Sequence, residues 1–387
     1  MMNETRWELP AGIEEVLPDE AWALESLRRR LLDHFARCGY GLVIPPLVEF
    51  VDSLLTGAGE DLDLLTFKLT DRLTGRLMGV RADMTPQMAR IDAHSLRQSG
   101  VTRLCYLGSV LRTVPDGFAG SRSPMQVGAE LFGDDSAEAD VEMLGLMIET
   151  LAHAGIDAPV LDIGHVGVFR AMADEAGLDP AREHALLDML QRKALPEIDA
   201  ALAEWDVPAE AAGRLAALGR LHGETSVLEQ ARATLGEAAG SAIARMEQVA
   251  AVIRRRYPRV RLQVDLAELH GYHYHTGLVF AAYVEGAGEE IARGGRYDQV
   301  GRVFGRARPA TGFSSDVREL MRLADRQDEE GQGPIVAPAD LGDPSLDEAI
   351  ARLRAAGETV VPALGGADRT KGRRLVRQKD TWLVVEN

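Results

Sequence analysis

The period of the hydrophobic pattern changes several times along the chain, and each change marks an element. From Asp19, which can cap a helix, apolar residues recur at helical spacing as Leu24, Leu27, Leu31 and Phe35 until Gly39 and Gly41 break the run. The lead-in from Trp7 to Leu17 carries Pro10 and Gly12, with Pro18 directly behind it, and reads as extended chain. The following LVIPPLVEF is apolar and β-branched, but Pro45 and Pro46 suit an irregular or edge strand better than a central one. Residues 66–70 and 76–81 predict a hairpin around the turn DRLTG, and residues 104–111 and 125–132 predict a second one joined by a polar loop. Residues 137–153 form an amphipathic helical pattern with Val141, Leu144, Ile148 and Leu151 on one stripe. After a strand and turn in LDIGHVGVF, residues 170–256 are rich in Ala, Leu and Glu with little strand character, which predicts a helical insertion. Sheet patterns return in RLQVDLAEL, HGYHYHTGLVFAAYVEG, EIARGGRYDQV and PATGFSSDVREL. Gly331 to Gly333 reads as a linker. The tail then shows strands PIVAP, TVVPAL and TWLVV and a helix from about Ser345 to Gly357. The expected organisation is α+β, with a large unit over 1–330 and a small α/β unit over 331–387.

Composition narrows the function classes. A chain of 387 residues is too long for a single compact core, and 46% hydrophobic with 27% charged residues is ordinary for a globular protein. No apolar run approaches the ~18 residues that would span a bilayer, and MMNETRWELPAG lacks the basic and apolar regions of a secretory signal. A cytoplasmic protein without a membrane segment is expected. The two cysteines, Cys38 and Cys105, argue for a reducing compartment and against a disulfide framework or a thiolate metal site. With 60 acidic and 43 basic residues the formal charge is −17, which repels polyphosphates at long range and disfavours nucleic acid as a partner.

The strand over 125–132 carries the candidate chemistry. Alternation puts Gln126, Gly128 and Glu130 on one face, so an amide and a carboxylate point the same way with a gap between them. Arg112, at the end of the preceding strand, can add a guanidinium suited to the carboxylate of a small zwitterion. On periodicity alone, the same face fits an outer sheet surface carrying solvated polar groups.

The residues themselves carry a resemblance. LRT followed by MQVGAELFG resembles motif 2 of class II aminoacyl-tRNA synthetases of the histidyl type, and the first helix with the Pro46 strand resembles motif 1. YHTGLVF and GGRYD match segments of the same family, and ATGF matches the start of motif 3. The resemblance covers roughly Trp7 to Leu320. It implies a mostly antiparallel sheet flanked by helices, with a helical insertion and a shortened C-terminal unit. It also implies a two-fold interface at motif 1, hence a homodimer, and a histidine site made by Asp83, Thr85, Arg112, Gln126, Glu130, Tyr274 and His275. Asp83 alone could equally be a helix-capping acid.

Three nucleotide-handling positions depart from the synthetase pattern. The alignment of YHTG places His270 where the synthetases have an arginine; motif 2 reads Arg112, Thr113, Val114 without its acid; and motif 3 reads Asp316, Val317, Arg318, Glu319 with the arginine displaced by one position. A one-residue shift turns a helical side chain by about 100°. This pattern of kept and lost groups resembles the regulatory-subunit family of ATP phosphoribosyltransferase, truncated and noncatalytic paralogues of the synthetases. That resemblance implies a hetero-oligomer with the short-form catalytic subunit of the first step of histidine biosynthesis, a part in histidine feedback, no cofactor and no tRNA. An amino-acid-activating enzyme, either a histidyl-tRNA synthetase or one with another acceptor, is the alternative. His273 and His275 could share a strand face and bind zinc, but no cysteine or carboxylate stands at ligand spacing, so no metal is expected there.

Overall fold

The computed structural model describes residues 7–56, 60–115, 120–267, 269, 271–272, 274–324, 333–340, 342–364 and 372–386. The chain divides into two compact units, Met1–Asp325 and Arg326–Asn387. The first unit contains β1 (Gly41–Leu42), β2 (Val48–Phe50), β3 (Phe67–Thr70), β4 (Leu77–Val80), β5 (Thr102–Ser109) and β6 (Met125–Phe132). It continues with β7 (Val160–His165), β8 (His222–Glu224), β9 (Arg261–Asp265), β10 (Leu278–Tyr283), β11 (Ala292–Arg296) and β12 (Ala310–Asp316). The second unit contains β13 (Ile335–Ala337), β14 (Val360–Pro362), β15 (Arg373–Gln378) and β16 (Thr381–Glu386).

Nine strands form one sheet in the order β1-β5-β6-β12-β11-β10-β7-β9-β8. The pairs are antiparallel except β1 with β5 and β7 with β9, so the sheet is mostly antiparallel. The helix Pro18–Arg37 buries Leu24, Leu27, Leu31 and Phe35, and the helix Ala137–His153 buries Val141, Leu144, Ile148 and Leu151, all in one core with Val127, Ala129 and Leu131 of β6. Alternation along β6 turns Gln126, Gly128 and Glu130 to the opposite face. There a smaller cluster of Met84, Met88, Leu104, Tyr106, Phe132 and Tyr297 packs. The polar face is therefore interior, roofed by other parts of the chain rather than open to water.

A separate three-stranded sheet, in the order β2-β4-β3, is joined to the large sheet by Arg81 at the end of β4. Its guanidinium donates to the carbonyls of Pro45 and Ser109 at 2.7 and 2.9 Å. The second unit packs Ile335, Ala337, Leu346, Val360 and Leu375 between the helix Pro344–Ala355 and the sheet β14-β13-β15-β16.

Several boundaries differ from the sequence reading for local reasons. The first helix is capped at Leu17 with Pro18 in its first turn, where a fixed φ is already helical, so Asp19 lies inside it. VGVF is helical, because His165 Nδ1 accepts from the Gly167 amide and caps the helix Val166–Ala176. The helical segment over 170–256 also contributes β8, a three-residue edge strand paired with β9. In the tail, β15 adds a strand that the sequence reading does not include.

Candidate functional site

The predicted residues gather in two tiers. The upper tier is a recess of about 900 Å³ whose lining includes Asp83, Arg112 and Gln126, residues from Gly286 to Arg293, and Glu319 and Arg322. Its anchor is Gln126 on β6. Its Oε1 accepts from the Met84 amide at 2.9 Å and its Nε2 donates to Asp83 Oδ1 at 3.0 Å. The same Asp83 oxygen accepts from the Thr85 amide at 2.8 Å, so the carboxylate both starts the short helix Thr85–Arg90 and faces the recess. Arg112 lines the same recess, its Nε donating to the Ala82 carbonyl at 3.4 Å.

The lower tier is buried. Glu130 is 1% exposed; Tyr106 donates to its Oε1 at 3.1 Å and Tyr297 donates to its Oε2. Thr85 Oγ1 lies 3.2 Å from the Tyr106 hydroxyl, and the Tyr274 ring is 5.0 Å from the Tyr297 ring. The buried Tyr274 hydroxyl has no hydrogen-bond partner among the described residues. Such an orphan needs a partner that the other described residues do not supply. Burial pushes the Glu130 carboxyl up to about 8, against the two tyrosine donors that favour the carboxylate, with the Asp83 charge adding to the rise. At neutral pH Glu130 is therefore mostly a neutral acid.

This arrangement corrects two expectations. The gap at Gly128 is filled: a Cβ there would lie 2.4 Å from the Tyr106 hydroxyl and 2.5 Å from the Phe313 carbonyl. Glu130 crosses in front of its cross-strand partner Gly312, where a Cβ would sit 1.5 Å from Oε2. The ligand-facing floor is thus Gln126, with Glu130 beneath a tyrosine layer. Thr85, Glu130, Tyr274 and His275 do not line the recess. His275 places Nδ1 3.3 Å from the Arg296 carbonyl and its ring 5.5 Å from the Tyr274 ring. His270 and His273, and with them the departure at His270 and the His273–His275 pair, lie outside the described residues.

Sequence reasoning missed Tyr106 and Tyr297. The pairing of Tyr106 with Gly128 in the hairpin register was the available signal for the first. Tyr297 stands in GGRYD but is brought to Glu130 by the β11-β12-β6 pairing, which no local pattern encodes.

On the nucleotide side, Val114 is exposed in the loop after Arg112. Asp316 caps the helix Val317–Leu323, accepting from the Arg318 and Met125 amides at 3.0 Å each, and burial raises its pKa. Arg318 turns away and donates to the Glu14 carbonyl at 3.3 Å, while Glu319 and Arg322 face the recess. Five carboxylates (Asp83, Glu289, Glu290, Asp316, Glu319) and three arginines (Arg112, Arg293, Arg322) line it. That balance suits a zwitterion better than a polyphosphate.

The mostly antiparallel sheet and its flanking helices are those of the histidyl type of class II aminoacyl-tRNA synthetase. Residues 12–320 match the family model described as histidyl-tRNA synthetase, and residues 332–385 match the one described as the ATP phosphoribosyltransferase subunit HisZ C-terminal domain. The ATP phosphoribosyltransferase regulatory subunit of Thioalkalivibrio sulfidiphilus is 58% identical over 95% of this chain and 93% of its own length. The chain belongs to the family of ATP phosphoribosyltransferase regulatory subunits. A solved structure described as an ATP phosphoribosyltransferase regulatory subunit/histidyl-tRNA synthetase from Bacillus halodurans C shares 27% identity at TM-score 0.83, covering 94% of each chain. The ATP phosphoribosyl transferase (HisG:HisZ) complex from Thermotoga maritima shares the fold at TM-score 0.59 and 17% identity, over 76% of this chain and 97% of that one. Among the described residues, no helix is long and apolar enough to cross a membrane.

Proposed function

We propose that this protein is the noncatalytic, cytoplasmic regulatory subunit that a short-form ATP phosphoribosyltransferase catalytic chain requires for the first step of histidine biosynthesis. The observation that carries the noncatalytic part is the asymmetry of the site. The amino-acid end keeps its amide, acids and guanidinium, whereas Arg318 is committed to the Glu14 carbonyl and the recess lining carries more carboxylates than arginines. The chain alone is expected to give no ATP–pyrophosphate exchange with any of the twenty amino acids, and the catalytic chain is expected to gain activity when it is added. Robust exchange with any amino acid would favour the activating-enzyme reading instead.

The same pocket is proposed to sense histidine, and the chain is proposed to act as a homodimer that binds no tRNA. In this reading the histidine carboxylate meets Arg112 and the amino group meets Asp83 and Gln126, while Glu130, held by Tyr106 and Tyr297 beneath them, supports the floor. A charge-assisted contact of this kind contributes about 1.5–3 kcal/mol, so Arg112→Gln should weaken histidine binding by roughly 10- to 100-fold. Calorimetry on the assembled complex measures it, with inhibition assays alongside. An Arg112→Gln complex that folds and keeps wild-type sensitivity would place the sensor elsewhere.

A further inference from the structure

The first helix ends in a group of side chains that neither the core nor the recess uses. His34 and Cys38 are four residues apart at the C-terminal end of the helix Pro18–Arg37, a spacing that stacks two side chains on one helix face. Glu149 reaches toward them from the helix Ala137–His153. His34 Nε2 lies 3.2 Å from Glu149 Oε2 and 3.8 Å from Cys38 Sγ, and one ligand atom from each residue falls within 4.8 Å of the others. Zinc bond lengths of about 2.0–2.3 Å set the edges of a tetrahedral site at roughly 3.3 Å for N···O and 3.6 Å for N···S. Two edges are thus already near those lengths. The sulfur–carboxylate edge lies within 4.8 Å, and Cys38 is exposed, so its side chain is free to rotate and shorten it.

Supporting contacts fix the donors. Tyr257 donates to Glu149 Oε1 at 2.7 Å, leaving Oε2 to face His34. The His34 ring packs against His153 with centroids 4.5 Å apart. On cysteine count alone a thiolate metal site is not expected; the geometry nevertheless sets one thiol beside an imidazole and a carboxylate. That mixed set selects zinc-like ions over magnesium or calcium.

We propose that His34, Cys38 and Glu149 bind one zinc-class divalent ion that ties the end of the first helix to the helix Ala137–His153. The fourth position opens onto a recess of about 330 Å³ lined by Cys38, Glu149 and Tyr257 among others.

The test uses the full-length, tag-free protein, metal-stripped and dialysed against zinc, then titrated with cobalt(II). The expected result is one zinc per chain and, with cobalt, a near-ultraviolet thiolate charge-transfer band with intense tetrahedral visible bands. Cys38→Ser should abolish the charge-transfer band, and Glu149→Gln should weaken zinc binding by more than about 100-fold, beyond the usual effect of losing a supporting hydrogen bond. Tyr257→Phe should cost about 10–100-fold. Cys105→Ala, at the buried second cysteine, should retain the band. Circular dichroism confirms that each variant is folded. Failure of the wild-type chain to retain zinc overturns the site whatever the variants do, as does a charge-transfer band that survives Cys38→Ser.

Discussion

Glu130 gives the protein a pH dependence opposite in sign to that of an ordinary paired carboxylate. Its carboxyl is raised by burial from 4.5 to about 8. The folded chain therefore binds this proton more tightly than the unfolded chain. The resulting stability is fully present below the ordinary Glu range and is lost as pH rises through about 8. Urea unfolding of wild type and Glu130→Gln between pH 5 and 8.5 should diverge by up to about 1.4 kcal/mol per pH unit, with the wild type falling faster. Parallel curves would mean that the group is already ionised at neutral pH. That Gln126 and Glu130 share one face was legible because a strand has period two, but the same pattern fits an outer solvated face, and their burial was not legible. What surrounds Glu130 was not legible, because Tyr297 reaches it through a pairing between segments more than a hundred residues apart.

At the scale of elements, the β5-β6-β12 pairing depends on two positions without side chains, Gly128 and Gly312. Gly128 faces the Phe313 carbonyl as well as Tyr106, so Gly128→Ala has backbone on one side that cannot move away. The substitution should destabilise by about 1–3 kcal/mol or more in equilibrium unfolding. Adding Tyr106→Phe should recover little, because the carbonyl contact remains; full recovery would show that the hydroxyl alone sets the constraint. The long helices were read correctly from their stripes, since burial of a full face leaves a strong period. The elements that escaped are weak in the same signal. β8 is three residues long and contains Gly223, and β15 begins with Arg373 and Arg374, whose charges hide the alternation.

For the whole molecule, exposed apolar side chains concentrate near the segment that resembles motif 1. Leu42, Ile44, Leu47, Leu69, Leu73 and Leu77, on or next to β1 to β4, are all exposed in the single chain. A two-fold association would bury them, and it supports the proposed homodimer. Light scattering at micromolar concentration should give a dimer, with Ile44→Lys shifting it toward monomer. A wild-type monomer would count against that interface. The sequence indicated the proline-bearing strand but not its exposure, which depends on how the three-stranded sheet is held by Arg81. The nine-stranded sheet itself ends on two very short margins, β1 with two residues and β8 with three. A margin that short offers too few free amides and carbonyls to template a neighbouring backbone, so this sheet is protected against fibril-like edge-to-edge polymerisation.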